Sequence, residues 1–150
     1  MSHQLMSVII RKYGLINSIE HLINGFNTSG KIHIEHLIYG FDDLSKYPED
    51  FQLSFYHIVQ KIFQNIIEHA KATNAIFQLI EHPDSINLCI ENNGKEINSD
   101  IYDRNVKKVG LLPDRIDYYE GKISIERQHG EGMLIVIDIP TQHMISLHLN

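Results

Sequence analysis

Cysteine is nearly absent: Cys89 stands alone in 150 residues, so no disulfide can form within the chain. That fits a reducing cytoplasm, and a chain of this length is long enough to hold its core by burial alone. Cys89 lies in SINLCIE, an alternating apolar run, and reads as a small sheet residue rather than a nucleophile. No apolar stretch approaches the ~20 residues that a membrane-spanning helix needs. The opening MSHQLMS carries no signal-peptide pattern. Basic charge is also short, with 13 Lys and Arg against 19 Asp and Glu, a net charge of −6 and a pI near 5.9. This argues against nonspecific binding to nucleic acid or an anionic membrane, and the Lys107-Lys108 pair is too small to reverse it. Repeats, low-complexity tracts and Pro/Gly/Ser linkers are missing, which leaves one domain. The ten histidines form no H-E-x-x-H, and there is no cysteine cluster to join them, so a structural zinc is disfavoured. Ser54 and Ser124 lie in no nucleophile-elbow pattern.

What remains is an ordinary globular balance, 43% hydrophobic and 21% charged. A first helical pattern spans roughly residues 3 to 12 and is interrupted at Gly14. A second carries Leu15, Ile16, Ile19, Leu22, Ile23 and Phe26 at three-and-four spacing and stops at Asn27-Thr28-Ser29-Gly30. KIHIEHLI (31 to 38) shifts towards period two and reads as a strand. After Pro48, the residues Phe55, Ile58, Val59, Ile62, Phe63, Ile66, Ile67 and Ala70 give the clearest helix, with one apolar face. NAIFQLIE (74 to 81) and SINLCIE (85 to 91) read as strands separated by His82-Pro83-Asp84. Residues 98 to 109 read as a loop. A short helix is expected from Pro113 to Tyr119, and two strands at 122 to 128 and 133 to 140 flank His129-Gly130-Glu131-Gly132. The pattern predicts an α/β (α+β) two-layer sandwich: a mixed β-sheet of about five strands with about three helices on one face.

Lys61, Asn65, Glu68 and His69 fall at i, i+4, i+7 and i+8 of the long helix, and read as one polar stripe opposite the core. A solvated face accounts for Lys, Glu and His, but an Asn in mid-helix is mildly unfavourable and suggests binding. Further along the chain, Asn92-Asn93-Gly94 in IENNGKEI has the strongest local hairpin signal.

These pieces together resemble a known family. HIVQKIFQNIIEHAKATNAIFQL resembles the N box and following strand of sensor histidine kinases, within the GHKL-type ATPases of the Bergerat fold. The likeness is to the subfamily whose N box runs E-x-x-x-N-x-x-K-H-A-x-A. GLINSIEHLINGFNTSGKIHIE is similar to the opening helix and strand of that catalytic domain. SHQLM resembles the end of a preceding dimerisation helix, and DRIDYYEGKISIERQHGEGMLIVIDIP its closing helix, strand, GxG turn and strand. The resemblance implies a dimerisation-helix end or N-terminal extension at 1–12, a histidine-kinase-like ATPase domain at 13–141 and a C-terminal tail at 142–150. It also implies that IENNGKEI is the G1 box, 98 to 109 the ATP lid, Gly110-Leu111 a remnant of the G2 box, and Gly130-Glu131-Gly132 the last GxG turn.

Departures from the family pattern fall on nucleotide-facing places. Asn65 matches the Asn that reaches Mg²⁺, but Lys61 replaces the acidic residue one turn earlier, and a cation near Mg²⁺ is repelled. Glu68 stands where the family has Lys, and Met133 where it has Thr. Asn92 replaces the Asp that accepts from the adenine amino group, which removes a charge-assisted bond of roughly 1 kcal/mol or more. Glu96 replaces the second G1 glycine, and Lys108 stands near a missing G2 glycine.

By resemblance, the nucleotide-binding residues are Asn65, His69, Asn92, Gly94, Gly110, Leu111, Gly130 and Gly132, with Asn65 on Mg²⁺ and ATP as the substrate. No residue is assigned as catalytic, because Lys61 displaces the acid. The implied function is the ATP-binding catalytic domain of a bacterial sensor histidine kinase in two-component signalling, with weakened nucleotide chemistry. The alternative is a pseudokinase-like module that transfers no phosphate and acts by regulation or protein interaction. The implied partners are a dimerisation/phosphoacceptor domain and a response regulator, in the cytoplasm or in the cytoplasmic part of a membrane-attached sensor.

Overall fold

The apolar face that begins at Phe55 organises the molecule. The computed structural model describes residues 3–95, 112–127 and 132–144. In chain order the elements are α1 (His3–Tyr13), α2 (Leu15–Ser29), β1 (His33–Tyr39), a short 3-10 turn (Leu44–Lys46) and α3 (Glu49–Glu68). Then follow β2 (Asn74–Glu81), β3 (Ser85–Asn92), α4 (Leu112–Tyr118), β4 (Lys122–Arg127) and β5 (Met133–Pro140). The strands form one mixed sheet in the order β1-β2-β3-β5-β4. β1 and β2 are parallel, which needs the long helical crossover between them, and every other pair is antiparallel.

Alternate residues of β2, β3 and β5 are buried, so one face of the sheet is covered by helices and the other is open. The register assembles the covered face into rows. Leu79, Leu88, Ile137 and Ile123 form one row, and Phe77, Ile90, Ile135 and Ile125 the next. Phe55, Ile58, Val59, Ile62, Phe63 and Ile66 of α3 share a single core with these rows. Phe63 meets Phe77 with ring centroids 5.5 Å apart. The third row reads Ala75, Asn92, Met133, Arg127: here the apolar surface ends and an amide begins.

The expected boundaries hold to within two residues, with the first strand beginning at His33 rather than at 31. The Asn-Gly hairpin signal does not make a hairpin. β3 pairs with β2 and β5, so Asn92-Asn93-Gly94 ends a central strand instead of turning into an adjacent one.

Two polar clamps fix the ends of β2. At its C-terminal end, the Glu81 carboxylate accepts from the Phe41 N–H (2.8 Å) and from the Tyr47 hydroxyl. Lys46 Nζ lies 3.3 Å away, which ties the β1–α3 connection to the sheet. Phe41 sits at φ +66°, a left-handed conformation that this clamp helps hold. Burial pushes the Glu81 carboxyl up, but the bonds from Tyr47, Phe41 and Lys46 outweigh it and keep the group below its ordinary 4.5. Burial and the same carboxylate raise the Tyr47 hydroxyl.

At the N-terminal end of β2, Asn93 Oδ1 accepts from the N–H groups of Thr73 (2.9 Å) and Asn74 (3.0 Å). Its Nδ2 donates to Thr73 Oγ1 at 2.9 Å, and its own N–H donates to the Asn74 carbonyl at 3.2 Å. One exposed amide thus joins the end of β3 to the start of β2.

Glu81→Ala is expected to lower stability by about 2 kcal/mol, because it strands the Phe41 N–H. A group whose folded pKa is depressed contributes its stability above the ordinary value and loses it as pH falls. The gap in urea midpoint between wild type and Glu81→Ala should therefore be constant above pH 4.5 and narrow below it. Asn93→Ala is expected to cost about 1 kcal/mol and to speed amide hydrogen exchange at Thr73 and Asn74 selectively. Unchanged exchange at those two amides would show that the clamp carries no strain.

Candidate functional site

The third row of the sheet meets the last turn of α3, and the sequence-predicted residues gather there. Asn65 is in that turn and is 1% exposed. This corrects the expected polar stripe: Lys61, Glu68 and His69 are exposed, but Asn65 is not. Four residues advance a helix by about 40° beyond a full turn, which moves Asn65 from Lys61 towards Ile62. The loop after β3 then closes over this end of the helix. Lys95 N–H donates to the Ala70 carbonyl at 2.9 Å, one residue past the cap at His69. The Asn65 carbonyl accepts from both His69 (3.0 Å) and Ala70 (3.1 Å), which ends α3 there.

Asn92 occupies the buried face of β3 at 5% exposure. Its Oδ1 accepts from the Gly94 N–H at 2.9 Å, closing an Asx-type turn at the strand end. Its Nδ2 is buried and has no hydrogen-bond partner among the described residues. The side-chain oxygen expected to face a ligand is therefore committed to the loop, and the amide nitrogen is the group left over.

Gly94 and Gly132 are both required by close approach. A Cβ at Gly94 would lie 2.6 Å from Ala70 Cβ and 2.8 Å from Asn92 Oδ1. Gly132, at φ +103°, brings its backbone against the Asn92 carbonyl, and a Cβ there would meet that oxygen at 2.5 Å. The two glycines let three chain segments converge: the end of α3, the end of β3 and the start of β5. Gly110, Leu111, Gly130, Glu96 and the 98–109 segment lie outside the described residues.

Arg115 escaped the sequence reading, and His57 entered it only among the histidines set aside as metal ligands. With Gln60, Lys61 and Gln64 they line a polar cavity of about 130 Å³ between α3 and α4. The i, i+4 spacing of His57 and Lys61 was visible in the sequence, but the approach of Arg115 depends on how α4 docks. A larger groove of about 340 Å³, bordered by His33, Glu35, Ile76 and Glu91, crosses the open face of the sheet. Asn92 and Asn93 border this groove as well, but strand alternation directs the Asn92 side chain to the opposite face of the sheet. Among the described residues, no group of three or more His, Cys, Asp or Glu could hold a metal ion, and no helix is long and apolar enough to cross a membrane.

No family model matches the chain. It is 24% identical over 143 residues to a signal transduction histidine-protein kinase/phosphatase, DegS of Brevibacillus brevis, over 92% of this chain and 35% of that protein. It is also 24% identical over 139 residues to sensor histidine kinase ComP of Bacillus subtilis, over 91% of this chain and 18% of that protein. The chain thus spans a minor part of the curated relatives it matches. Among solved structures, the histidine kinase domain of the Erythrobacter litoralis blue-light activated kinase EL346 superimposes with a TM-score of 0.64 at 19% identity. That match covers 89% of this chain and 62% of the other. The fold is that of a histidine-kinase catalytic domain, and the sequence relatives are sensor histidine kinases.

Proposed function

We propose that the chain is the nucleotide-binding domain of a sensor histidine kinase in two-component signalling, with its metal-dependent chemistry reduced. One observation carries the reading. Ser18, Asn65, Asn92 and Thr141 are the buried polar side chains among the described residues, and Asn65 and Asn92 belong to elements joined at one junction. A buried donor without a partner, as Asn92 Nδ2 is among the described residues, is unfavourable, and this supports reading the junction as a binding site. Gly94 and Gly132 keep Cβ atoms out of that junction, where one on either would collide with neighbouring protein atoms.

In this reading Asn65, His69, Asn92, Gly94 and Gly132 supply the described part of the nucleotide site, and Gly110, Leu111 and Gly130 the remainder. The nucleotide would be an ATP-like donor, and the acceptor a histidine on a dimerisation domain, with a response regulator downstream. Transfer of this kind is mostly positioning and charge neutralisation. Mg²⁺ fits the described residues poorly. Such ions are held by one or two carboxylates plus phosphate oxygens, but the nearest polar contribution is the neutral Asn65, with Lys61 one turn earlier. Lys61 is exposed and adds positive charge where a carboxylate would have served the metal.

The engaged Asn92 oxygen and Lys61 also favour a second reading, in which the fold persists as a regulatory or protein-interaction module without phosphoryl transfer.

Calorimetric titration of the chain with ADP, with and without Mg²⁺, is expected to show weak binding that the metal does not strengthen. Lys61→Glu is expected to introduce a Mg²⁺-dependent gain of about tenfold. If no purine nucleoside diphosphate binds at millimolar concentration, the nucleotide reading fails and the regulatory module stands.

A further inference from the structure

The cavity between α3 and α4 is lined by donors. His57, Gln60, Lys61 and Gln64 fall at i, i+3, i+4 and i+7, so they stand in one row along α3. α4 brings Arg115 up to that row, and its docking is fixed from within. Ile116 is fully buried, and Tyr119 meets Phe51 edge-on with ring centroids 5.0 Å apart. The Tyr119 hydroxyl also donates to Ser54 Oγ at 3.3 Å. The five side chains enclose about 130 Å³. Each carries an N–H donor, and no carboxylate is among the described lining residues. Asn65, Asn92, Gly94 and Gly132 do not border this space either.

In a chain of net charge −6, two fixed cations that meet without an acid between them call for a reason. A Glu at residue 61 would have neutralised Arg115 across the cavity, but Lys61 adds to its charge. Like charges brought together by packing repel unless an anion sits between them. Lys61, Gln60 and Gln64 take no part in an ion pair or side-chain hydrogen bond among the described residues, so their donors are there to be used.

We infer that this cavity is an oxyanion site that takes a dianionic phosphoryl group. Lys61 and Arg115 balance its two charges, and an ammonium beside a planar guanidinium is a usual donor set for phosphate oxygens. The amides of Gln60 and Gln64 and the His57 ring offer donors to the remaining oxygens. A carboxylate brings one charge and two acceptors in a plane, and would leave part of this set unused. The space is well below the ~300–1,000 Å³ of a site for a whole organic ligand, so it suits a single tetrahedral group. That group can arrive as free phosphate or as the terminal phosphate of a nucleotide. The inference stands on the cavity and does not need the nucleotide reading.

The test is an NMR titration of the ¹⁵N-labelled whole chain with inorganic phosphate at constant ionic strength, on wild type, Lys61→Glu and Lys122→Glu. Lys122 is exposed on β4 and does not line the cavity, so its substitution changes the net charge equally but elsewhere. Wild type is expected to show saturable shifts at His57, Gln60, Lys61, Gln64 and Arg115. Lys61→Glu is expected to weaken binding at least about tenfold, and Lys122→Glu to change it by less than about twofold. ADP in a parallel titration separates the sources: shifts at the same residues assign the group to a nucleotide, and shifts with phosphate alone assign it to the free ion. Absence of saturable shifts at these residues with phosphate overturns the site. Equal weakening by Lys61→Glu and Lys122→Glu also overturns it, because only net charge would then be felt. The phosphate titration contains no nucleotide, so either failure leaves the nucleotide reading standing. Should Lys61→Glu fail to fold, Lys61→Gln removes the cation alone, and unchanged phosphate affinity in that variant overturns the site.

Discussion

The seating of α3 on the sheet is the contact on which the rest depends. α3 links two parallel strands, so β1 and β2 can pair only if the helix between them packs back onto their sheet. Its apolar face does so against the rows led by Phe77 and Leu79, and every residue from Phe55 to Ile66 that the spacing placed on that face is fully buried. Once α3 is seated, its C-terminal turn lies beside the end of β3, and Ala70 becomes the surface on which the next loop rests. The candidate site is a by-product of how the core is closed.

Most of the fold was legible because it is written in periodicity. β2 came out at Asn74–Glu81 because alternation and the flanking turn residues agree on both boundaries. α3 came out because apolar residues repeat at three and four over several turns. The strand order is different in kind. Nothing local in 122–127 or 133–140 says that β5 inserts between β3 and β4, which follows from closing one face over the helices. The sequence reading set the number of strands and the mixed sheet, and no order for them.

For the candidate site, the sequence offered residue types and left their environment open. Asn65 was singled out by residue type and given the wrong exposure, because a helical wheel does not show which loop closes over the end of a helix. Asn92 was marked as an acceptor, but the sequence does not contain the direction in which its amide is turned; that is set by Gly94, two residues on. The meeting of His57 and Arg115 was not foreseen because it depends on tertiary placement of α4. Chemistry that rests on a side chain's type was readable, and chemistry that rests on which of its atoms is already occupied was not.

The cross-strand row of Ala75, Asn92 and Met133 has one more consequence. Slipping β3 by a single residue against its neighbours would turn Glu91 inward and carry Asn92 to the open face. Such a slip would drive a carboxylate into the core beside Met133 and expose Leu88 and Ile90, so the whole sheet opposes it. The alignment of Asn92 is thereby proofread by every apolar pair along β2, β3 and β5. The amide needs no assembly step of its own. A chain that has registered its strands correctly has already aimed it.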